Sequence, residues 1–211
     1  MQPSFWHERW AREQIGFHEP APNPLLIAHF DALELAPGAR LFLPLCGKTL
    51  DIDWLLSRGF NLAASELSAI AVTALFERLH MTPVVERHGD LQRWHTPQLV
   101  VWVGDHFSLD PDSLGHVDAV YDRAALIAMP PDMRTAYAAQ MTRLAGDAPQ
   151  LLVTLQYEQS RLDGPPFSVA EDDLRDLYPA HARRLLATVA IEGGLKGKVP
   201  ATETVWMLAR A

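Results

Sequence analysis

Hydrophobic residues fall along the chain in short continuous runs and in helix-spaced sets, which predict alternating strands and helices. The predicted strands cover residues 41–45, 61–64, 83–87, 92–95, 98–103, 117–121, 150–156, 183–192 and 202–210. The predicted helices cover residues 3–15, 25–33, 49–57, 69–80, 131–144 and 168–177, with Ser68 and Ser168 as N-caps. Strands 92–95 and 98–103 form a hairpin, and the last two strands form an antiparallel pair. The alternation in the middle predicts a mostly parallel sheet covered on both faces.

The segment 41–66 holds a strand, a glycine turn, a helix and a second strand in one compact unit. The turn is Cys46-Gly47-Lys48, and the second strand leads to the carboxylate of Glu66. Such a unit binds the adenosine half of a cofactor, with the carboxylate accepting hydrogen bonds from the ribose hydroxyls. The alternative is an ordinary βαβ crossover whose glutamate faces solvent.

The glycine content of this turn bears on the kind of cofactor. A dinucleotide fingerprint carries three glycines that pack over a pyrophosphate, whereas this turn carries Gly47 alone. A cofactor with adenosine but no phosphates fits better, and S-adenosylmethionine is the obvious candidate. In parallel sheets ligands sit outside the carboxyl ends of the strands, and four predicted strand ends meet there. These ends are Leu45-Cys46-Gly47, Glu66, Gly104-Asp105-His106 and Asp122-Arg123.

Composition narrows the partners and the location. A chain of 211 residues with 48% hydrophobic residues is expected to form one domain. The net charge of −8 argues against nucleic acid or an anionic membrane as a partner. One cysteine, Cys46, suits a reducing compartment, and no leader or membrane span is evident, so we expect a cytoplasmic protein. The nine histidines show no zinc spacing, so no metal is expected.

Several motifs, in this order along the chain, resemble those of the thiopurine S-methyltransferase family in its bacterial form. They are Phe5-Trp6 through Trp10, Gly16-Phe17-His18, Leu43-Pro44-Leu45-Cys46-Gly47-Lys48, Ser65-Glu66-Leu67-Ser68, Gly104-Asp105-His106-Phe107 and Tyr121-Asp122-Arg123-Ala124-Ala125-Leu126. With the later strands the likeness extends over nearly the whole chain.

The resemblance implies a fold and an activity. The fold is an α/β, seven-stranded, mostly parallel Rossmann-like class I methyltransferase sheet with helices on both faces. The activity is S-adenosylmethionine-dependent methyl transfer to the sulfur of aromatic and heterocyclic thiols such as thiopurines, with S-adenosylhomocysteine as the product. The alternatives are selenium or tellurium species, an oxygen or nitrogen nucleophile, or a non-catalytic S-adenosylmethionine-binding module.

The motifs also suggest roles for individual residues. Arg123 is the catalytic candidate, because a guanidinium can hold an anionic thiolate, and it can also touch the cofactor. Its structural alternative is an ion pair with Asp122 or Asp105. The expected cofactor-binding residues are Trp10, Phe17, Leu45, Gly47, Glu66, Asp105, His106 and Arg123.

Aromatic residues near the N-terminus suggest a cover for this site. Trp10 and Phe17 are expected to form a lid over the cofactor, and Trp6 to pack as ordinary core. For His106 a half-exposed loop position is an equal alternative to adenine contact. Cys46 is not expected to act as a nucleophile, because methyl transfer to an external thiol needs no protein thiolate. Residues 1–211 are read as a single domain, with a helical lid segment at 1–36 and a sheet core at 37–211, and as a monomer.

Overall fold

One mixed β-sheet forms the centre of the protein, whose computed structural model describes residues 3–16 and 18–210. The strands are Arg40–Leu43 (β1), Asn61–Glu66 (β2), Val84–His88 (β3), Leu91–His95 (β4), Leu99–Val103 (β5), Ala119–Arg123 (β6), Gln150–Tyr157 (β7), His181–Ala190 (β8) and Ala201–Arg210 (β9). The α-helices are Pro3–Ala11 (α1), Pro24–His29 (α2), Asp51–Ser57 (α3), Ala69–Arg78 (α4), Pro111–Leu114 (α5), Pro131–Ala145 (α6) and Glu171–Leu177 (α7). Short 3-10 turns lie at Phe30–Leu33, His106–Ser108, Leu126–Ala128 and Gln159–Arg161.

The nine described strands lie in the order β3-β4-β5-β2-β1-β6-β7-β9-β8. Parallel pairing joins the five central strands, from β5 through β2, β1 and β6 to β7. The pairs at both sides are antiparallel, namely β3 with β4, β4 with β5, β7 with β9 and β8 with β9. The expectation of seven strands in a mostly parallel sheet is therefore wrong, since nine strands are present and half of the described pairings are antiparallel.

The excess over seven strands comes from the β3–β4 hairpin, which extends the sheet beyond β5. The apolar pattern had marked both segments as strands, whereas the number seven came from the family resemblance. β3 is exposed along its whole length and forms the outer edge. The expected β4–β5 hairpin and the expected antiparallel pair at the end of the chain are both confirmed.

Two apolar clusters sandwich the sheet, as expected for strands covered on both faces. On one face Leu41, Leu43 and Tyr121 pack with residues of α2, α3 and α4. On the other face Phe42 and Val120 pack with residues of α5, α6 and α7. Because side chains alternate along a strand, the odd-numbered residues of β1, β6, β7 and β9 point to the first face. This parity decides which polar side chains meet at the end of the sheet.

Several predicted element ends shift for local reasons. β1 stops at Leu43, because Pro44 has no N–H to donate and Leu45 adopts a left-handed backbone with φ of 48°. Ser68 caps α4 as expected, accepting a hydrogen bond from Ala71 N at 3.4 Å. Ser168 does not cap α7, which begins at Glu171; its hydroxyl accepts from Tyr157 N at 3.1 Å instead.

The N-terminal segment lies on the α2–α3–α4 face of the sheet. Trp10 of α1 is 6% exposed and reaches Gly47. Asn23 caps α2 through its side chain and donates its own N–H to Asp51 Oδ1 at 2.7 Å. The division into a lid at 1–36 and a core at 37–211 stays a prediction. Over the ranges described above, no helix combines the length and the apolarity needed to cross a bilayer.

Candidate active site

The turn after β1 is tied to the carboxylate at the end of β2. Glu66 is 5% exposed; its Oε2 accepts from Gly47 N at 2.8 Å, and its Oε1 accepts from Ser68 N at 2.8 Å. Burial raises the pKa of Glu66, while these backbone donors favour its charged form. Gly47 has a φ of 54°, and a Cβ there would lie 3.1 Å from the Trp10 ring. The turn therefore needs glycine both for its backbone conformation and for the close approach of the indole.

Arg78 of α4 holds the same turn from the helix side. Its Nη1 donates to Lys48 O at 2.6 Å, and its Nη2 donates to Thr49 O at 3.0 Å. The same guanidinium forms a two-point contact with Asp53, at 3.1 and 2.6 Å. Sequence analysis missed this residue, because an arginine near the end of a helix gives no sign of which loop it reaches. Arg78 fixes the path of the backbone that the cofactor candidate would meet.

A second polar chain supports Leu45. Leu45 N donates to Ser65 Oγ at 3.3 Å, and Ser65 Oγ lies 2.9 Å from His106 Nδ1. The direction of the hydrogen bond between Ser65 Oγ and His106 Nδ1 depends on the tautomer of the ring. His106 is 4% exposed and stacks on Phe42 with ring centres 6.2 Å apart. Burial and the charge of Arg143 lower the pKa of His106 to about 4, so the ring is neutral at pH 7.

The guanidinium of Arg123 lies at the end of β6, two strands from Glu66. Its side chain is 13% exposed and pairs with the carboxylate of Glu19 from the N-terminal segment. Glu19 in turn accepts a hydrogen bond from Asn23 Nδ2 at 3.3 Å. The expected structural partners Asp122 and Asp105 are not the ones that Arg123 pairs with. The N-terminal segment is therefore attached to the sheet at this cation.

A buried network adjoins this contact. Tyr121 OH donates to Asp51 Oδ2 at 3.1 Å, while the other oxygen of Asp51 holds Asn23 N. Asp122, next to the cation, points to the opposite face, where it accepts hydrogen bonds from Tyr137 OH at 2.7 Å and Leu126 N at 3.2 Å. Asp122 is thus a structural acceptor rather than a partner of Arg123.

These elements line a partly open cavity of about 50 Å³, enough for a few water molecules. Its lining comprises Trp10, His18, Leu43, Pro44, Leu45, Cys46, Gly47, Lys48, Thr49, Asp51, Tyr121, Arg123 and Ala124. Leu45 and Ala124 both have positive φ, 48° and 65°, which are sparsely populated conformations for residues with a Cβ. Burial and the charges of Lys48, Arg78 and Arg123 lower the pKa of His18. The cavity is cationic on one side and aromatic above the turn.

The structure brings most of the predicted residues together. Trp10, Leu45, Gly47 and Arg123 line the cavity. Glu66 and His106 lie one layer behind it, bonded to Gly47 N and to Ser65.

Two predicted residues stand apart from the cavity. Asp105 is exposed and caps the 3-10 turn after β5, accepting from Phe107 N at 3.0 Å. Phe17 lies outside the described residues. The binding roles assigned to all of these residues stay predictions.

The buried imidazole predicts a pH dependence of stability. The pKa of His106 is about 4 in the folded protein against 6.5 for an exposed histidine, so the unfolded chain binds the proton first as pH falls. Stability contributed by the neutral ring is complete above pH 6.5 and is lost towards pH 4. The difference in free energy of unfolding between wild type and His106→Gln should shrink by about 2–3 kcal/mol from pH 7 to pH 4.5. Urea titrations at both pH values measure it.

A neighbouring group makes the variant comparison necessary. Burial raises the pKa of Asp122 to about 6, and this carboxyl therefore contributes the opposite pH dependence in the same range. Because Asp122 is present in both proteins, its contribution cancels in the difference. A difference that stays constant with pH would show that folding does not lower the pKa of His106.

Solved structures with the same fold include methyltransferases with bound S-adenosylhomocysteine. A magnesium protoporphyrin IX methyltransferase from Synechocystis with bound S-adenosylhomocysteine superposes with a TM-score of 0.63 at 16% identity, covering 99% of this chain and 96% of the other. A 1,6-didemethyltoxoflavin-N1-methyltransferase from Burkholderia thailandensis gives a TM-score of 0.65 at 15% identity, covering 98% and 87%. The chain therefore has the fold of the S-adenosylmethionine-dependent methyltransferases.

Sequence comparison defines the family within this class. Residues 1–198 match the family described as Thiopurine S-methyltransferase (TPMT). A thiopurine S-methyltransferase of Xanthobacter autotrophicus is 52% identical over 213 residues, covering 100% of both chains. Another from Gluconobacter oxydans is 51% identical over 203 residues, covering 96% of this chain and 92% of the other. The chain belongs to the thiopurine S-methyltransferase family, which confirms the resemblance seen in its motifs.

Proposed function

We propose that this protein transfers the methyl group of S-adenosylmethionine to the sulfur of aromatic and heterocyclic thiols such as thiopurines. The observation that carries the proposal is the placement of the Arg123 guanidinium in the same cavity as the Gly47 turn. The Gly47 turn belongs to the unit proposed to bind the adenosine half of the cofactor. The Arg123 guanidinium lies where an anionic acceptor would approach that cofactor. Membership of the family supports the same reaction.

The residues present fit S-adenosylmethionine. The Glu66 carboxylate has lone pairs left for ribose hydroxyls beyond the two backbone N–H groups it holds. A turn with one glycine suits a ligand without phosphates, and the Trp10 indole above Gly47 can face a sulfonium or a purine ring. When bound, the cofactor supplies a methyl group already activated by its positive sulfur. The protein is left with binding, orienting and excluding water.

Arg123 acts on the acceptor as a fixed cation. A guanidinium stays protonated at any ordinary pH, so it stabilises and orients a thiolate rather than removing its proton. In the structure the Arg123 guanidinium is paired with the carboxylate of Glu19. An anionic acceptor therefore replaces the Glu19 carboxylate at Arg123, which couples acceptor binding to movement of the N-terminal segment.

We assign the cover of the site to the N-terminal segment. Trp10 and His18 of that segment line the cavity, whose volume of about 50 Å³ is far smaller than a nucleoside, so we expect the segment to move when one binds. The lid at 1–36, the monomeric state, the cytoplasmic location and the absence of a nucleic-acid partner remain parts of this proposal. The net charge of −8 supports the last of these.

A panel of acceptors tests the proposed reaction. The protein is incubated with S-adenosylmethionine and aromatic thiols, heterocyclic thiols, phenols, amines, selenite or tellurite, and S-adenosylhomocysteine is measured. We expect turnover with the thiols at rates above those with oxygen and nitrogen nucleophiles of similar shape. Preference for a non-sulfur acceptor would replace the substrate class. Cofactor binding by calorimetry without turnover of any acceptor would identify a binding module instead.

A further inference from the structure

Glu203 of β9 is a polar residue for which the proposed reaction has so far no use. It lies between Thr202 and Thr204, in a strand whose next residues are buried and apolar. Its side chain is half-buried, and within the described ranges its carboxylate takes part in no hydrogen bond or ion pair. The lone pairs of this carboxylate are therefore free to accept hydrogen bonds from a ligand.

The strand register places Glu203 on the same face of the sheet as Arg123, with β7 between their strands. Arg123 is opposite Val153 of β7, Val153 is opposite Val205 of β9, and Glu203 is opposite Leu155. Directly paired residues share a face, and so do residues two apart on one strand. Glu203 therefore projects from the same face as Arg123. Along β7 it is level with Leu155, two residues nearer the carboxyl end than Val153, which is opposite Arg123. The N-terminal segment covers this shared face.

The charges of Arg123 and Glu19 both act on the Glu203 carboxylate. Burial raises the pKa of Glu203, Arg123 lowers it and Glu19 raises it again, with a net rise. Arg123 is paired with the Glu19 carboxylate and attracts that of Glu203, which has no bonded partner among the described residues. His18 and Tyr121 are further titratable groups that sense this cation and line the cavity.

Resting on the proposed function, we propose that Glu203 accepts the proton of the acceptor and selects heterocyclic thiones that carry a ring N–H beside the sulfur. Such a ring presents a hydrogen-bond acceptor and a donor side by side. Arg123 can donate only and the Glu203 carboxylate can accept only, so the pair is complementary to that edge. A thiophenolate offers the acceptor alone and leaves Glu203 unused.

The proton and electrons are accounted for in this step. As the ring N–H proton passes to a Glu203 oxygen, the N–H bonding electrons shift through the ring to the sulfur. The sulfur forms the new carbon–sulfur bond to the methyl group, and the electron pair of the broken methyl–sulfonium bond stays on the departing thioether. Glu203 then releases its proton to water. A carboxylate with a raised pKa is better matched to a ring N–H than an ordinary one.

Two acceptors and one variant test the selection. Wild type and Glu203→Gln are compared with pyridine-2-thione, which has the ring N–H, and with 4-nitrobenzenethiol, which is ionised and lacks it. We expect kcat/KM of the variant to fall by about tenfold or more for the thione and by less than about threefold for the ionised thiol. Glu192→Gln, an exposed carboxylate in the turn after β8, is the matched control and should change neither.

A binding readout separates proton transfer from structural damage. Pyridine-2-thione and its anion absorb differently, so a pH titration of the bound ring with S-adenosylhomocysteine present reports its deprotonation. Glu203→Gln should move that deprotonation to higher pH, and Glu203→Asp should restore part of the thione turnover. Equal losses for both acceptors, or a selective loss in His18→Gln but not in Glu203→Gln, would overturn the inference. Wild type that methylates neither thiol would instead overturn the proposed function.

Discussion

Replacing Arg123 by alanine should lower kcat/KM for weakly acidic thiols by about 100-fold or more, because a preorganised charge in a water-poor site is lost. The guanidinium is 13% exposed, so solvent screens it little. Arg123→Lys should keep part of the activity, since the charge remains but the planar fork does not. The loss should shrink for thiols that are already ionised in water. The measurement is kcat/KM of both variants across thiols of graded acidity.

The ion pair with Glu19 requires its own control in this experiment. Removing Arg123 alone leaves the Glu19 carboxylate unpaired, and that charge would repel an anionic acceptor. The double variant Glu19→Gln, Arg123→Ala isolates the loss of the cation, and Arg175→Ala on exposed α7 is a matched surface control. Equal losses for every thiol, together with weaker cofactor binding, would show that Arg123 serves the cofactor alone.

Replacing Glu66 by alanine should raise the Kd of S-adenosylhomocysteine by about 10–150-fold, the range expected for losing 1.5–3 kcal/mol of charged hydrogen bonding. Two contributions combine, namely the ribose contacts proposed for the carboxylate and the anchors it gives to Gly47 N and Ser68 N. Glu66→Gln keeps the shape and one acceptor oxygen, so its loss should be smaller. Calorimetric titration with S-adenosylhomocysteine measures both.

The matched control for Glu66 is Glu77→Gln, a carboxylate exposed on α4. It should leave the affinity unchanged, because its charge is screened by solvent. If Glu66→Ala bound as tightly as wild type, the ribose assignment would be wrong, and the carboxylate would only shape the turn.

Much of the architecture could be read from local patterns. Leu99–Val103 is a continuous apolar run and Gln150–Tyr157 is a largely apolar segment, which favours a buried sheet, and both form strands. The number of strands in the sheet was wrong because it came from the family rather than from the pattern. Segments 83–87 and 92–95 carried the signal for the additional hairpin. Which edge a hairpin joins depends on long-range pairing, which no local pattern specifies.

The candidate site was predictable as far as it depends on strand ends. Gly47, Glu66 and Arg123 each follow an apolar run, and parallel strands bring such ends to one edge. Arg78 and Glu19 were missed because their partners are set by how a helix and a segment without regular structure cross the sheet.

A weaker signal was available for one further residue. Glu203 lies near the start of a strand whose later residues are mostly apolar. Because glutamate is rarely buried, a carboxylate in such a strand suggests a functional role. Its position on the same face as Arg123 became visible only with the register of β7 and β9.

The single cysteine of the chain lies in the turn that the proposed cofactor would touch. Cys46 is 9% exposed, its Sγ donates to Gly47 O at 3.4 Å, and burial and the Glu66 carboxylate raise the pKa of its thiol. An enzyme whose acceptors are thiols would be vulnerable to mixed disulfides with them and to methylation of its own sulfur. Holding Cys46 buried and protonated removes both side reactions, since only a thiolate attacks readily. The packing that shapes the turn thus also protects Cys46 from disulfide formation with the thiol substrates and from methylation.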